Sequence, residues 1–126
     1  MSAPNFIQTP PEILEAMEKH RSEHADEPLG QVADRILFED EKVRVWEMRL
    51  EPGQVSDLHR HDLDYYLIIL QGDLIGGIPP KDSGQDCYVA ELSGDVQAVF
   101  VPKGDIEWAY NCGRETFYEI MVELKQ

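Results

Sequence analysis

Residues 53–72 read GQVSDLHRHDLDYYLIILQG and carry the most informative pattern in the chain. The stretch carries two histidines, His59 and His61, followed by an unbroken apolar run, YYLIIL, at residues 65–70. Side chains alternate between the two faces of a strand, so His59 and His61 share one face. An apolar run without polar alternation indicates a strand that is covered on both faces. The histidines therefore open a buried strand, where they either hold a metal ion or only hydrogen-bond to their neighbours.

The chain around this stretch is rich in short strands. Many short apolar runs separated by Gly- and Pro-containing turns are typical of an antiparallel sandwich or barrel. In the last run, ETFYEIMVEL, the side chains alternate in the pattern of a strand with one fully buried face. We predict nine strands, over residues 34–38, 43–50, 57–61, 64–70, 73–78, 87–92, 96–101, 106–111 and 115–124.

The residues before this β-rich body are polar and have a helical period. Thr9-Pro10-Pro11-Glu12 combines an N-cap hydroxyl, a proline at the first helical position and a glutamate three residues after the cap. This start signal predicts a helix from about Pro10 to about Ala25, which packs on the body or on a partner. We therefore divide the chain into an N-terminal arm, residues 1–32, and a β-domain, residues 33–126. One face of the helix carries Ile13, Met17, His20 and His24.

Composition excludes several classes of partner and predicts a cytoplasmic protein. The 126 residues suffice for one domain, and 11 basic against 25 acidic residues give a net charge of −14. Such a surface repels nucleic acid and anionic lipid. The N-terminus shows no signal-peptide pattern and no run is long enough to span a bilayer, so we expect Cys87 and Cys112 to be reduced thiols rather than a disulfide.

The histidine pair stands at fixed distances from turn residues. The first segment reads Gly53-x5-His59-x-His61, with Gly72 closing the next strand, and a later segment reads Pro102-x-Gly104-x2-Glu107-x3-Asn111. These segments resemble the two signature motifs of the cupin superfamily, G-x5-H-x-H-x3,4-E-x6-G and G-x5-P-x-G-x2-H-x3-N. The resemblance covers residues 36–124 and implies an all-β double-stranded β-helix, or jelly-roll barrel, which holds a divalent metal.

The resemblance carries metal-ligand positions onto this sequence, with two departures. His59 and His61 match the first two ligands, whereas Tyr65 stands where the family usually has Glu and Glu107 where it usually has His. Seven rather than five residues also separate Gly94 from Pro102. Two imidazoles and one carboxylate suit Fe, Mn, Ni or Zn, so the expected metal ligands are His59, His61 and Glu107. Asp62 and Asp64 are alternative carboxylates, although alternation from Tyr65 points Asp64 to the other face.

Two functions are compatible with these residues. The first is a metal-dependent small-molecule enzyme of dioxygenase, isomerase or lyase type, as in amino-acid or organic-acid catabolism. In it Tyr65 is the general acid/base or substrate-orienting residue. The second is a non-catalytic cupin, a small-ligand-binding protein or structural dimer with a decayed metal site. In either case the doubly apolar strand and the arm predict a homodimer, and Trp108 and Tyr110, which alternate away from Glu107, are available to a subunit interface.

Overall fold

The structure, a computed structural model, describes residues 4–125 of the chain. Within this range the chain forms ten strands and one α-helix, and each of the nine predicted strands is present close to its predicted bounds. The helix, α1, spans Pro11–Glu23, and a short 3-10 turn spans Lys81–Ser83. The strands are β1 Asn5–Ile7, β2 Arg35–Glu39, β3 Val43–Leu50, β4 His59–Arg60, β5 Tyr65–Gln71, β6 Leu74–Ile78, β7 Tyr88–Glu91, β8 Gln97–Val101, β9 Ile106–Tyr110 and β10 Phe117–Leu124.

The strands pair into two five-stranded antiparallel sheets. Sheet one has the order β1-β7-β6-β9-β4, and sheet two has the order β2-β3-β10-β5-β8. Apolar side chains of both sheets meet in one core, because Ile75 and Ala109 of sheet one pack against a cluster that sheet two dominates. The fold is therefore the predicted all-β double-sheet jelly roll. The buried members of the core cluster include Trp46, Met48, Leu50, Tyr65, Ile69, Phe117 and Met121.

A tight turn places the first histidine segment. Pro52 and Gly53 occupy the centre of a turn in which the Gln54 amide donates to the Glu51 carbonyl at 2.9 Å. Gly53 has φ +87°, a left-handed conformation that a residue without Cβ adopts at least cost. The Pro-Gly signal of the sequence thus fixes where the chain reverses before β4.

Helix α1 covers the outer face of sheet one. Met17 is fully buried there against Ile78, Val89 and Trp108. Arg21 extends this contact, since its Nη1 donates to the Pro79 carbonyl at 3.1 Å. Trp108 is 1% exposed, so its predicted availability to a subunit interface is wrong, because the chain's own helix lies over that face.

The helix begins one residue later than its capping signal predicts. Pro10 is the N-cap residue, with ψ 143°, and no side chain caps the helix. The ring of Pro11 disfavours helical geometry in the residue before it, so Pro10 stays extended and Thr9 lies too far out to cap. The arm also contributes a strand that the sequence did not predict, because β1 pairs with β7 through Phe6 and Ala90. The division of the chain at residue 32 stays a proposal.

Of the two strands singled out in the sequence, β5 differs from its prediction and β10 agrees with it. In β5, Tyr65 and Ile69 point into the core, but Tyr66 and Leu70 are 45% and 40% exposed, so this chain by itself covers one face and leaves the other open. In β10 one face is fully buried, as predicted, and it carries two glutamates, Glu119 and Glu123, beside its apolar residues.

No helix within residues 4–125 is both long and apolar enough to cross a membrane.

Candidate metal centre and interior cavity

Strand pairing brings the two histidines and the glutamate together. In β4 and β9, His59 lies directly opposite Glu107. His61 is two residues further along the chain and turns to the same side, with its ring centroid 4.8 Å from that of His59. One potential ligand atom from each of His59, His61 and Glu107 lies within 4.8 Å of the other two. The three side chains therefore form a group that could hold a metal ion.

Hydrogen bonding and burial keep both imidazoles neutral. Nδ1 of His59 lies 2.9 Å from the Asp57 carbonyl, which can only accept, so Nδ1 carries the proton and Nε2 keeps a lone pair. Burial lowers the pKa of His59. Burial, and then the neighbouring His59, lower the pKa of His61 to about 3. Neutral imidazole is the form that binds a metal, and a carbonyl partner on the second ring nitrogen is typical of metal-ligating histidines.

Glu107 is held by a tyrosine that the sequence analysis did not select. The hydroxyl of Tyr88 donates to Oε2 of Glu107 at 2.5 Å. Burial raises the pKa of Glu107 to about 7, against the opposing effect of this hydrogen bond. A cation beside the carboxylate would favour its charged form. A further observation also fits a metal site: Nδ1 of His61 is buried and has no hydrogen-bond partner among the described residues.

Tyr65 lies against the histidines rather than in the hydrogen bond to Glu107. Its ring stacks on His61, with centroids 4.1 Å apart and an interplanar angle of 19°. The side chain is 3% exposed, and burial followed by the charge of Glu107 raises the pKa of its hydroxyl far above the ordinary value. Tyr65 therefore stays protonated at neutral pH, which makes its hydroxyl a donor of hydrogen bonds.

The other carboxylates and the amide near the motif have structural roles. Asp62 is exposed and pairs with Arg60 at 2.7 Å. Asp64 accepts from the Lys103 amide at 2.9 Å and is not a member of the candidate metal group. Asn111 is fully buried and donates to the carbonyls of Leu50 and Glu115, so it joins strand ends instead of touching Glu107.

A cavity of about 400 Å³ opens into the barrel beside this group. Glu107 belongs both to the candidate metal group and to the cavity lining, and Tyr65 lines the cavity as well, so a small molecule in the cavity would lie beside the Glu107 carboxyl group. The remaining wall is mainly apolar, and Asp105 and Glu119 add two further carboxyl groups. Small-molecule sites commonly combine an apolar wall with few polar groups. The apolar lining includes Leu67, Ile69, Ile75, Val99, Val101 and Phe117.

Comparison with known proteins identifies the fold. No family model and no curated protein matches the sequence. Among solved structures, a cupin domain from Bordetella pertussis Tohama I matches with a TM-score of 0.64 at 19% identity, over 100% of this chain and 99% of that one. The chain has the cupin fold.

Two further solved structures extend the comparison. An RmlC-like cupin with a double-stranded β-helix from Methanocaldococcus jannaschii matches with a TM-score of 0.54 at 16% identity, over 75% of this chain and 93% of that one. The polyketide cyclase RemF from Streptomyces resistomycificus matches with a TM-score of 0.52 at 21% identity, over 73% of this chain and 63% of that one. The structural similarity establishes the cupin barrel, and at these low sequence identities it leaves the reaction open.

Two residues near the site of this cupin barrel, Tyr88 and Glu119, were not selected from the sequence. Tyr88 and Glu107 lie 19 positions apart on strands that do not pair with each other, so no local pattern connects them. Glu119 could have been found from the sequence, because this glutamate shares the buried face of an alternating strand with Phe117 and Met121. Cys87 and Cys112 are free thiols and lie outside the candidate metal group.

Proposed function

We propose that the protein is a metal-dependent small-molecule enzyme in which His59, His61 and Glu107 hold a divalent transition metal, Fe, Mn, Ni or Zn. The observation that carries the proposal is the convergence of two neutral, buried imidazoles and one carboxylate within 4.8 Å. The unpartnered Nδ1 of His61 supports it, because buried polar atoms rarely lack a partner unless a ligand supplies one.

Each neighbouring side chain has a distinct role in this proposal. A bound metal would supply positive charge that polarises a ligand oxygen, and three protein ligands leave coordination positions open for it. Tyr88 orients the Glu107 carboxylate through its hydrogen bond. Tyr65, stacked on His61 and lining the cavity, donates a proton or a hydrogen bond to the substrate. Its raised pKa keeps the hydroxyl protonated, which favours hydrogen-bond donation to the substrate over proton transfer.

Metal analysis tests the proposal directly. The protein, expressed with Fe, Mn, Ni and Zn supplied, should contain about one metal ion per chain by elemental analysis if three ligands bind with ordinary affinity. His61→Ala should lose that metal and keep the circular-dichroism spectrum of the folded protein. His24→Ala is the matched control, because His24 is exposed at the C-cap of the helix and should leave the metal content unchanged.

A metal-free wild type would overturn the enzyme proposal. The protein would then be the second candidate, a non-catalytic cupin that binds a small ligand in the same cavity. The specific observation in favour of that candidate is Tyr65, which stands at a position where the resembling motif has a carboxylate ligand.

We further propose that the protein is a homodimer that buries the outer face of sheet two. Strand register aligns five apolar side chains in one row across all five strands of this sheet, each opposite the next. Phe38, Tyr66 and Phe100 of this row are 55%, 45% and 47% exposed, which is a large apolar surface for one chain to leave in water. We define this row as the apolar row; it consists of Phe38, Val45, Val122, Tyr66 and Phe100.

A cytoplasmic location completes the proposal. Both cysteines, Cys87 and Cys112, are free thiols. Thiols persist in reducing compartments, whereas small secreted domains usually pair their cysteines.

A further inference from the structure

Glu119 is a buried carboxyl group for which the protein supplies no complete set of hydrogen-bond partners. Its side chain is 5% exposed and lines the interior cavity, and its Oε2 has no partner among the described residues. The cross-strand neighbours of Glu119 in β10 are Met48 and Ile69, both apolar. A buried polar atom without a partner is costly, so such atoms commonly mark a place where a ligand binds.

The backbone of β10 is irregular at this residue. The pairing of β10 with β5 shifts register between Tyr118 and Glu119, where Gln71 and Ile69 are successive partners and Leu70 is passed over. Such a bulge changes the direction of the side chains beside it. By contrast Glu123, four residues further along β10 on the same face, accepts a hydrogen bond from the Trp46 indole at 2.6 Å. Glu123 is therefore satisfied within the protein, whereas Glu119 lines open space.

The charges of the cavity have one sign. Three carboxyl groups line it, from Asp105 and Glu107 near the candidate metal ligands and from Glu119. No Lys, Arg or His is among its described lining residues. A cavity whose charged lining groups are all acidic attracts cations and repels anions.

We propose that this cavity binds a small primary amine as its ammonium cation, with the cation on the Glu119 carboxyl group and the hydrocarbon part against the apolar wall. The inference rests on the proposed function in that the same cavity is taken as the small-molecule site. The binding step itself involves Glu119 and the wall, and so does not depend on the metal ligands.

An ammonium group suits this site better than the alternatives. It has three N–H donors and a positive charge, so it satisfies Oε2 of Glu119 with a charge-assisted hydrogen bond. An alcohol offers one donor and no charge. A carboxylic acid anion would add a fourth negative group to a cavity without a basic side chain. Burial, together with the charge of Glu107, raises the pKa of Glu119 to about 8, and a bound cation would draw it back toward its usual value.

Three ligands with the same hydrocarbon chain test the proposal: n-hexylammonium, 1-hexanol and hexanoate. Calorimetric titration of the wild type near pH 8 should show that hexylammonium binds at least about tenfold more tightly than either of the others, since one charge-assisted hydrogen bond contributes on that scale. Similar affinity for all three would overturn the proposal, because the wall and not Glu119 would then determine binding.

Two variants on the same strand separate recognition from general effects of lost charge. Glu119→Gln should weaken hexylammonium binding at least about tenfold and leave 1-hexanol binding nearly unchanged. Glu123→Gln removes an equivalent carboxylate from the same face of β10 and should leave the affinity for hexylammonium unchanged. Equal affinity of Glu119→Gln and wild type for hexylammonium would contradict the assignment, and the comparison of the three ligands in the wild type does not depend on either variant.

The metal-free variant distinguishes this inference from the proposed function. If His61→Ala loses metal and still prefers hexylammonium, both proposals stand. If the wild type binds no metal and prefers hexylammonium, the enzyme proposal falls and the ligand assignment stands. If the wild type binds metal without a preference for the amine, the ligand assignment alone is wrong.

Discussion

The hydroxyl of Tyr88 donates to Glu107 across a strand that separates the two residues. Tyr88 lies on β7 and Glu107 on β9, and β6 runs between them. The β6 residue opposite Tyr88 is Gly77, and a Cβ at that position would overlap the tyrosine ring. The missing side chain of Gly77 thus leaves the space through which Tyr88 reaches the candidate metal ligand.

Removing the Tyr88 hydroxyl should weaken metal binding. In Tyr88→Phe the ring remains but Glu107 loses its orienting hydrogen bond, and partners of this kind typically contribute about 10- to 100-fold to metal affinity. Competition with a chromogenic chelator measures the change. Tyr66→Phe serves as the control, because Tyr66 is exposed on the outer face of sheet two. Identical metal affinity in Tyr88→Phe and wild type would show that the hydrogen bond has no part in metal binding.

Filling the space at Gly77 should have a similar consequence. In Gly77→Ala the added methyl group displaces the Tyr88 ring, so the Glu107 hydrogen bond is lost although both residues are still present. The loss of metal affinity should match that of Tyr88→Phe, and the double variant should lose no more than either single variant, because both changes remove one interaction. Additive losses in the double variant would count against the shared cause.

Glu119 should make the folded protein less stable as pH rises. Burial raises the pKa of Glu119 to about 8, above its ordinary value of 4.5, so between these pH values the folded state holds a proton that the unfolded state has released. The free energy of unfolding therefore falls from about pH 4.5 to about pH 8, by at most about 1.4 kcal/mol per pH unit for one proton. Urea unfolding at several pH values should show a shallower decline in Glu119→Gln than in wild type. Parallel curves would contradict the burial of an ionisable group at this position.

A charge in the apolar row should separate the proposed dimer. Phe100→Lys places a cation in the row, opposite Tyr66, and a buried, unpaired charge is strongly unfavourable at an interface. Light scattering after size exclusion should give twice 14.4 kDa for the wild type and 14.4 kDa for the variant. Leu14→Lys is the matched control, because Leu14 is an exposed apolar residue on the helix, outside the row. A wild type of monomer mass would refute the dimer.

Helix α1 should contribute substantially to the stability of the barrel. Met17 is fully buried between the helix and sheet one, so Met17→Ala leaves a cavity and should lower the free energy of unfolding by roughly 2–5 kcal/mol. Chemical denaturation measures the loss. Leu14→Ala, one turn earlier and 38% exposed, should cost far less. Equal stability of Met17→Ala and wild type would mean that the helix contributes little to the core.

Local signals in the sequence predicted most of the fold because they act over a few residues. The turn at Gly53 needs a residue that tolerates positive φ, and the alternation of Phe117, Glu119 and Met121 follows from the two-residue period of a strand. The capping signal at Thr9 failed for an equally local reason, since the consecutive prolines shift the helix start.

The spacing of His59 and His61 predicted that the two side chains turn to the same side, and the resemblance of their segment to the cupin motif predicted the β-barrel. Four relationships became visible only in the folded barrel: Glu107 faces His59, Tyr88 holds Glu107, Glu119 lines the cavity without a full set of partners, and the helix covers Trp108. Strand alternation is a property of adjacent residues, whereas register and layer packing join residues far apart in the chain. Those long-range contacts depend on the packing of the whole barrel, so they set the chemistry of the site.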